Sequence, residues 1–236
     1  MSTTRILIAI DGPAGAGKST VAYLLGERLG IPYIDTGAMY RSVALLAQQR
    51  DIALEDGLLA AIAKDLPVQF VPTAGGQRVT LGDEDVTEAI RSPEIASIVT
   101  TVSACPGVRQ HLLIAQRSLA ARESRGVIMD GRDIGTHVLP DADVKVYLTA
   151  TLEARAKRRH ADLASRGFTG TVADVMMILH ERDEQDGRRT VAPMRPAKDA
   201  LIFDTSVLTV DEVVAMIAAL CECRRQQKGA GRNLHV

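Results

Sequence analysis

Apolar residues gather in five short runs, at 5–11, 31–35, 126–130, 144–148 and 200–204, and stretches with helical spacing separate them. Runs this short and this uniformly apolar predict strands buried on both faces. Their alternation with helices predicts an α/β fold, a five-stranded parallel sheet flanked by helices. Three of the runs after the first end in aspartate: Asp35, Asp130 and Asp204. Ligands of such sheets bind beyond the carboxyl ends of the strands, so Asp35 and Asp130 are expected at the ligand crevice. Asp204 reads as a turn or cap residue.

Residues 67–90 break the alternation. Val68-Gln69-Phe70-Val71 and Gln77-Arg78-Val79-Thr80-Leu81 read as two strands joined through Gly75-Gly76, a small β-rich insertion. Ser92-Pro93-Glu94 reads as a helix start with Ser92 as N-cap, and helical stretches follow over Pro93–Ala104 and 106–123. Residues 151–195 are polar, helical and dense in arginine, with Arg155, Arg158, Arg159 and Arg166 in the first half. Arg182, Arg188, Arg189 and Arg195 follow in the second. The last helix opens with a capping box, Thr209-x-x-Glu212, and is expected to end near 225 before a frayed tail, 226–236. The predicted organisation is one domain over 1–225, with its core at about 5–66, 91–150 and 196–225, the insertion at 67–90 and an Arg-rich lid at 151–195.

At 236 residues the chain has ample length for a sizeable core. A net charge of -1, with aromatics at 3% and no Trp, argues against nucleic acid: there is neither a basic groove nor a stacking platform. No apolar run approaches the ~20 residues of a membrane span. Met1-Ser2-Thr3-Thr4-Arg5 leads directly into a strand with no secretory leader. A cytoplasmic monomer without membrane or nucleic-acid partners is expected. Cys105, Cys221 and Cys223 lack metal-ligand spacing and suggest thiols in a reducing compartment. Only six of the 28 basic residues are Lys. Arginine forks match phosphate oxygens bidentately; a GC-rich genome gives the same bias, so position decides.

The chemistry starts at Gly12-Pro13-Ala14-Gly15-Ala16-Gly17-Lys18-Ser19, with Thr20 next. This is a full G-x-x-x-x-G-K-S phosphate-binding loop between a predicted strand and a predicted helix, the context the motif requires. Its glycines let backbone N–H groups wrap a phosphate at a helix N-terminus. Lys18 reaches the β/γ-phosphates and the Ser19 hydroxyl ligates Mg²⁺. The implied ligand is ATP with Mg²⁺. A guanine reader of the Asn-Lys-x-Asp type is absent, since the only Asn is Asn233, and a small-molecule kinase remains. A hydroxyl acceptor calls for a carboxylate base, for which Asp35 is the candidate. A monophosphate acceptor, with a second pKa of ~6, is already largely dianionic and needs none. Its difficulty is to bring two anions together, which the arginine blocks address.

Four further blocks stand in order: Asp35-Thr36-Gly37-Ala38-Met39-Tyr40-Arg41, Asp130-Gly131-Arg132-Asp133-Ile134-Gly135-Thr136, Glu181-Arg182-Asp183-x-x-Asp186-x-x-Arg189 and Val191-Ala192-Pro193. With the phosphate loop they resemble the bacterial cytidylate kinase family, over roughly residues 5–222. The resemblance implies a P-loop kinase fold with a helical lid, and the substrates ATP and CMP or dCMP. It implies that Thr36, Tyr40 and Arg41 line the monophosphate site, with Arg132 and Arg182 on the same phosphate. Arg189, chosen over Arg188 by its spacing from Asp186, would bridge the two phosphate sites. Arg155 and Arg159 would act from the lid, and Asp186 would accept from the ribose hydroxyls. Arg109 and Asp133 would read the base with help from Thr100, although Thr101 and Ser103 offer neighbouring hydroxyls. A carboxylate accepts from the cytosine N4 donor and repels the uracil oxygen. Asp130 is open to two readings, as the residue orienting Mg²⁺-bound water or as a strand-end turn carboxylate. His137 reads as structural.

Overall fold

The apolar runs become strands of one sheet in the computed structural model, which describes residues 4–165 and 167–232. Arg166 and residues 233–236, Asn233 among them, lie outside the described residues. The chain runs β1 (Ile6–Asp11), α1 (Lys18–Leu29), β2 (Tyr33–Asp35), α2 (Thr36–Gln49) and α3 (Asp56–Lys64). It continues through β3 (Val68–Thr73), β4 (Gly76–Leu81), β5 (Glu84–Asp85), α4 (Pro93–Ala104) and α5 (Pro106–Arg122). Then come β6 (Gly126–Gly131), β7 (Val144–Thr149), α6 (Leu152–Ala164), α7 (Val172–Arg188), β8 (Leu201–Asp204) and α8 (Val210–Arg232). The five-stranded sheet has the order β2-β6-β1-β7-β8, and β1 lies parallel to both β6 and β7.

The described residues divide into two compact units: those before 34 with those after 123, and Ile34–Glu123. In the first, Ile6, Ile8 and Ile10 of β1 join Val144, Val146 and Leu148 of β7 on one face. Val21 and Leu25 of α1, with Val213, Ile217 and Cys221 of α8, cover that face. Ala9, Val127 and Met129, which point the other way along their strands, are equally buried, as the uniformly apolar runs require. The second unit packs α2, α3, α4 and α5 with the small sheet around Met39, Val43, Leu59, Val79, Ile95 and Leu112. The hairpin forms as expected, and β5 adds a third antiparallel strand to it.

Local signals set several boundaries. The Ser92 hydroxyl caps α4 by accepting from the Ile95 N–H. Thr209 and Glu212 bond reciprocally at the start of α8. Thr171 and Asp174 do the same for α7. The last helix outruns the expected end near 225: α8 continues to Arg232, held by Lys228, whose ammonium pairs with Asp143 and donates to the Arg5 carbonyl. Those tethers supply what the missing apolar periodicity does not. Cys221 is buried and Cys223 exposed, and burial pushes the Cys221 thiol up to about 12.

Candidate active site

The phosphate loop joins β1 to α1. Gly12 has φ +145°, and a Cβ there would stand 2.0 Å from the Leu148 carbonyl oxygen of β7, so only glycine fits. Gly17, at the N-cap of α1, is left-handed with φ 87°. The turn places Lys18 inward, 6% exposed, its ammonium donating to the Pro13 carbonyl at 2.8 Å. Burial and the Arg132 charge push the Lys18 amine down to about 7, against the opposing pull of Asp130 and Asp11.

Asp130, near the end of β6, accepts from the Ser19 hydroxyl at 2.9 Å and from the Tyr33 hydroxyl at 2.8 Å. Asp130 is thus a carboxylate near the strand end fixed against the loop serine, a geometry compatible with either reading. Tyr33 is a residue the sequence reading passes over; an aromatic with a polar tip at the mouth of a strand is the signal that marks it.

Asp186, on α7 and 1% exposed, gathers the arginines. One of its oxygens accepts from Arg132 Nε at 2.8 Å, and the other pairs with Arg189. Burial pushes the Asp186 carboxyl up, but the charges of Arg132, Arg189 and Arg182 outweigh it and hold the group below the usual carboxylate range. The chain reaches this arrangement through a left-handed Ala192 (φ 51°), after which the Met194 N–H donates to the Asp186 carbonyl. Two oxygens already occupied by guanidinium groups make Asp186 first an orienting carboxylate.

The lid arginines differ from one another. Arg155, buried on α6, donates to the carbonyls of Ala150 and Ala14 and pairs with Asp183 at 2.6 Å. Arg158 donates to the Thr205 hydroxyl, which itself donates to the Ala16 carbonyl of the loop. Arg159 is half-buried and pairs with Asp162 on the same helix.

In the other unit Asp35 caps α2, accepting from the Ala38 N–H at 3.0 Å and from Arg41 at 2.7 Å. Gly37 makes room for that pair, since a Cβ would stand 3.0 Å from Arg41 Nη1 and 3.1 Å from Asp35 Oδ1. Arg41 Nε is buried with no acceptor among the described residues. Thr36 is buried beside Asp35 in sequence. Arg109 lies over the Tyr40 ring, 5.5 Å from its centroid, and donates to the Ser103 carbonyl at 3.0 Å. Thr100 is half-buried and its carbonyl accepts from the Ser103 hydroxyl. Asp133 is buried in the sheet unit, whereas Arg109 and Thr100 belong to the helical one. His137 Nδ1 lies 3.0 Å from the Thr136 hydroxyl.

A glycine-rich loop at a strand-to-helix junction, with a buried lysine and converging arginines, defines a protein that handles phosphate groups on a P-loop fold. The cytidylate kinase family model matches residues 8–223. The chain is 49% identical to the cytidylate kinase of Exiguobacterium sp. strain AT1b, over 91% of this chain and 96% of that protein. It is 47% identical to the cytidylate kinase of Exiguobacterium sibiricum, over 92% and 97%. Among solved structures, a gluconokinase from Sinorhizobium meliloti aligns over 96% of this chain and 99% of its own, at 17% identity and a TM-score of 0.49; likeness at that level settles nothing about chemistry. The chain belongs to the cytidylate kinase family, and it is a phosphotransferase, a nucleotide kinase. No helix among the described residues is long and apolar enough to cross a membrane.

Proposed function

We propose that the enzyme transfers the terminal phosphoryl group of ATP to CMP or dCMP, giving ADP and CDP or dCDP. The observation that carries this reading is a buried Lys18 on the phosphate loop, with Arg132 and Arg189 converging on the buried Asp186 and the charges of Arg132 and Arg182 reaching both the lysine and this carboxylate. Such a cluster suits a reaction whose difficulty is anion meeting anion. A monophosphate oxygen attacks in line without a base, while arginines and the lysine offset the charge on the equatorial oxygens. Phosphates on residues 12–20 favour the charged form of Lys18, opposing its burial. Ser19 and Asp130 offer hard oxygen donors 2.9 Å apart, which fit Mg²⁺, Ser19 as ligand and Asp130 through an oriented water. When bound, the ion screens the phosphate charge.

The acceptor phosphate is assigned to Arg41, Arg132 and Arg182, with Thr36 and Tyr40 lining its site and Arg189 bridging to the donor. The buried, unsatisfied Nε of Arg41 supports that assignment. Asp186 takes the ribose hydroxyls on its remaining lone pairs. Asp133 accepts from cytosine N4, and Arg109 donates to the ring acceptors with Thr100 assisting. Residues 151–195 act as the lid that excludes water, with Arg155 and Arg159 as its contribution to the phosphate site. We place the reaction in the cytoplasm, on a monomer.

Transfer to a hydroxyl would need Asp35 as base. Although burial pushes the Asp35 carboxyl up, Arg41 and the Ala38 N–H hold it below the usual carboxylate range, which makes it a poor proton acceptor. The test is ADP formation from ATP and Mg²⁺ with CMP, dCMP, UMP, AMP or shikimate offered separately. Turnover with CMP and dCMP well above the rest is expected; turnover only with shikimate would sink the proposal.

A further inference from the structure

Asp11 closes β1 one residue before the phosphate loop, as Asp35 and Asp204 close theirs, and is 3% exposed. Its two oxygens are divided between two backbone donors. Oδ1 accepts from the Ile134 N–H and Oδ2 from the Gly135 N–H, each at 2.7 Å. Those amides open a wide helical turn, Ile134–Val138, and the first N–H groups of any helical turn have no partner within it. Gly135 permits the approach, because a Cβ there would already stand 3.3 Å from Asp11 Oδ2 and 3.3 Å from Lys145 Cδ. The main chain of Asp11 grips the same segment from its other end: in the parallel register of β1 and β6, Asp11 stands opposite Gly131. One residue therefore brackets Arg132 and Asp133, with backbone register on one side and a two-oxygen clasp on the other. The next residue in the chain is Gly12.

We infer that Asp11 is a positioning residue, which fixes Arg132 and Asp133 relative to the phosphate loop. It touches no substrate itself. The inference rests on the reading of Arg132 as a phosphate contact and Asp133 as a base contact. Misplacing reacting groups by about 1 Å can cost on the order of 100-fold in rate, which is ample reason for a buried carboxylate at this point. That carboxylate is costly to bury: desolvation pushes it up to about 7 in spite of the amides of Gly135 and Ile134, with Asp133 adding to the rise and Lys18 opposing it. A neutral amide of the same shape avoids that desolvation, so D11N is expected to fold.

The deciding experiment measures amide hydrogen exchange and steady-state kinetics on D11N side by side. Asparagine offers one acceptor oxygen and turns its NH₂ toward the second amide. The expected result is at least about tenfold faster exchange at Ile134 or Gly135, with other core amides unchanged. Alongside it, kcat/KM for CMP should fall on the order of 10- to 100-fold, and the preference for CMP over UMP should narrow. Loss of a purely structural contact would lower stability without narrowing that preference. Exchange at both amides as in the parent, or an unchanged CMP-to-UMP ratio, overturns the inference. Asp11→Ser carries the same two readouts if asparagine is not accommodated. A parent enzyme that ignores CMP would instead sink the substrate reading, and the exchange data would still report the clasp.

Discussion

Asp35 in one unit and Asp186 in the other each hold arginines at the candidate site, and the two clusters are built by different means. Around Asp35 everything is local. The strand end, the helix cap and Arg41 fall within seven consecutive residues, and one carboxylate both caps α2 and holds the guanidinium. Around Asp186 the arginines come from both ranges: Arg182 and Arg189 are neighbours in sequence, but Arg132 comes from 54 residues away. The local cluster needs a helix start and little else. The distant one exists only once α7 and the turn after β6 have met, so it reports on the tertiary fold as well as on phosphate chemistry.

The largest effect should come from breaking the distant cluster. Asp186→Asn leaves Arg132 and Arg189 facing an amide in a buried place, at a cost of about 3 kcal/mol at neutral pH, readable by denaturant unfolding. The same variant should lose part of the acid limb. A carboxyl held below its unfolded value contributes stability that is complete above the ordinary carboxylate pKa of about 4 and lost as pH falls through the lower folded value. The parent should therefore show a steeper drop in melting temperature between pH 5 and pH 2 than Asp186→Asn; parallel curves would mean that the arginines do not hold Asp186 charged. A smaller effect is expected at Asp35. Asp35→Ala removes an N-cap, worth about 1 kcal/mol, and releases Arg41, whose side chain is 22% exposed and can find water. A loss as large as that of Asp186→Asn would erase the distinction between the clusters. The smallest change in stability belongs to Gly37→Ala. The alanine gains up to about 1 kcal/mol of helix propensity, but its Cβ displaces the end of the Arg41 side chain. Stability should stay within about 1 kcal/mol of the parent while KM for the monophosphate rises several-fold; an unchanged KM would free Arg41 of its assigned role.

The same divide between local and distant governs what could be read in the sequence. The five strands, the hairpin, the Ser92 cap and the Thr209 capping box are local patterns, and each appears in the structure at or near its expected place. Asp204 is the turn residue it was expected to be, accepting from the Ser206 N–H and hydroxyl. β5 escapes because two residues carry no period. The last turns of α8 escape because polar tethers to Asp143 and Arg5, both far away in sequence, hold them. At the site, motif spacing finds the arginines but says nothing about their acceptors. Spacing marks Arg155 as a lid arginine but does not show that Ala14, Ala150 and Asp183 surround it. Asp11 carries the same strand-end signal as Asp35 and Asp130, yet its partners lie 123 and 124 residues away, beyond any spacing rule.

The glycine that opens the phosphate loop is usually taken as a mark of nucleotide binding. Here the Leu148 carbonyl would lie 2.0 Å from any Cβ at Gly12, so the close parallel run of the chain beside β7 already demands glycine before any nucleotide arrives. A signature read as a single message about ligands is thus two messages overprinted, one about how closely two neighbouring backbones lie and one about what they hold. A chain could lose every trace of the second and still be obliged to keep the first.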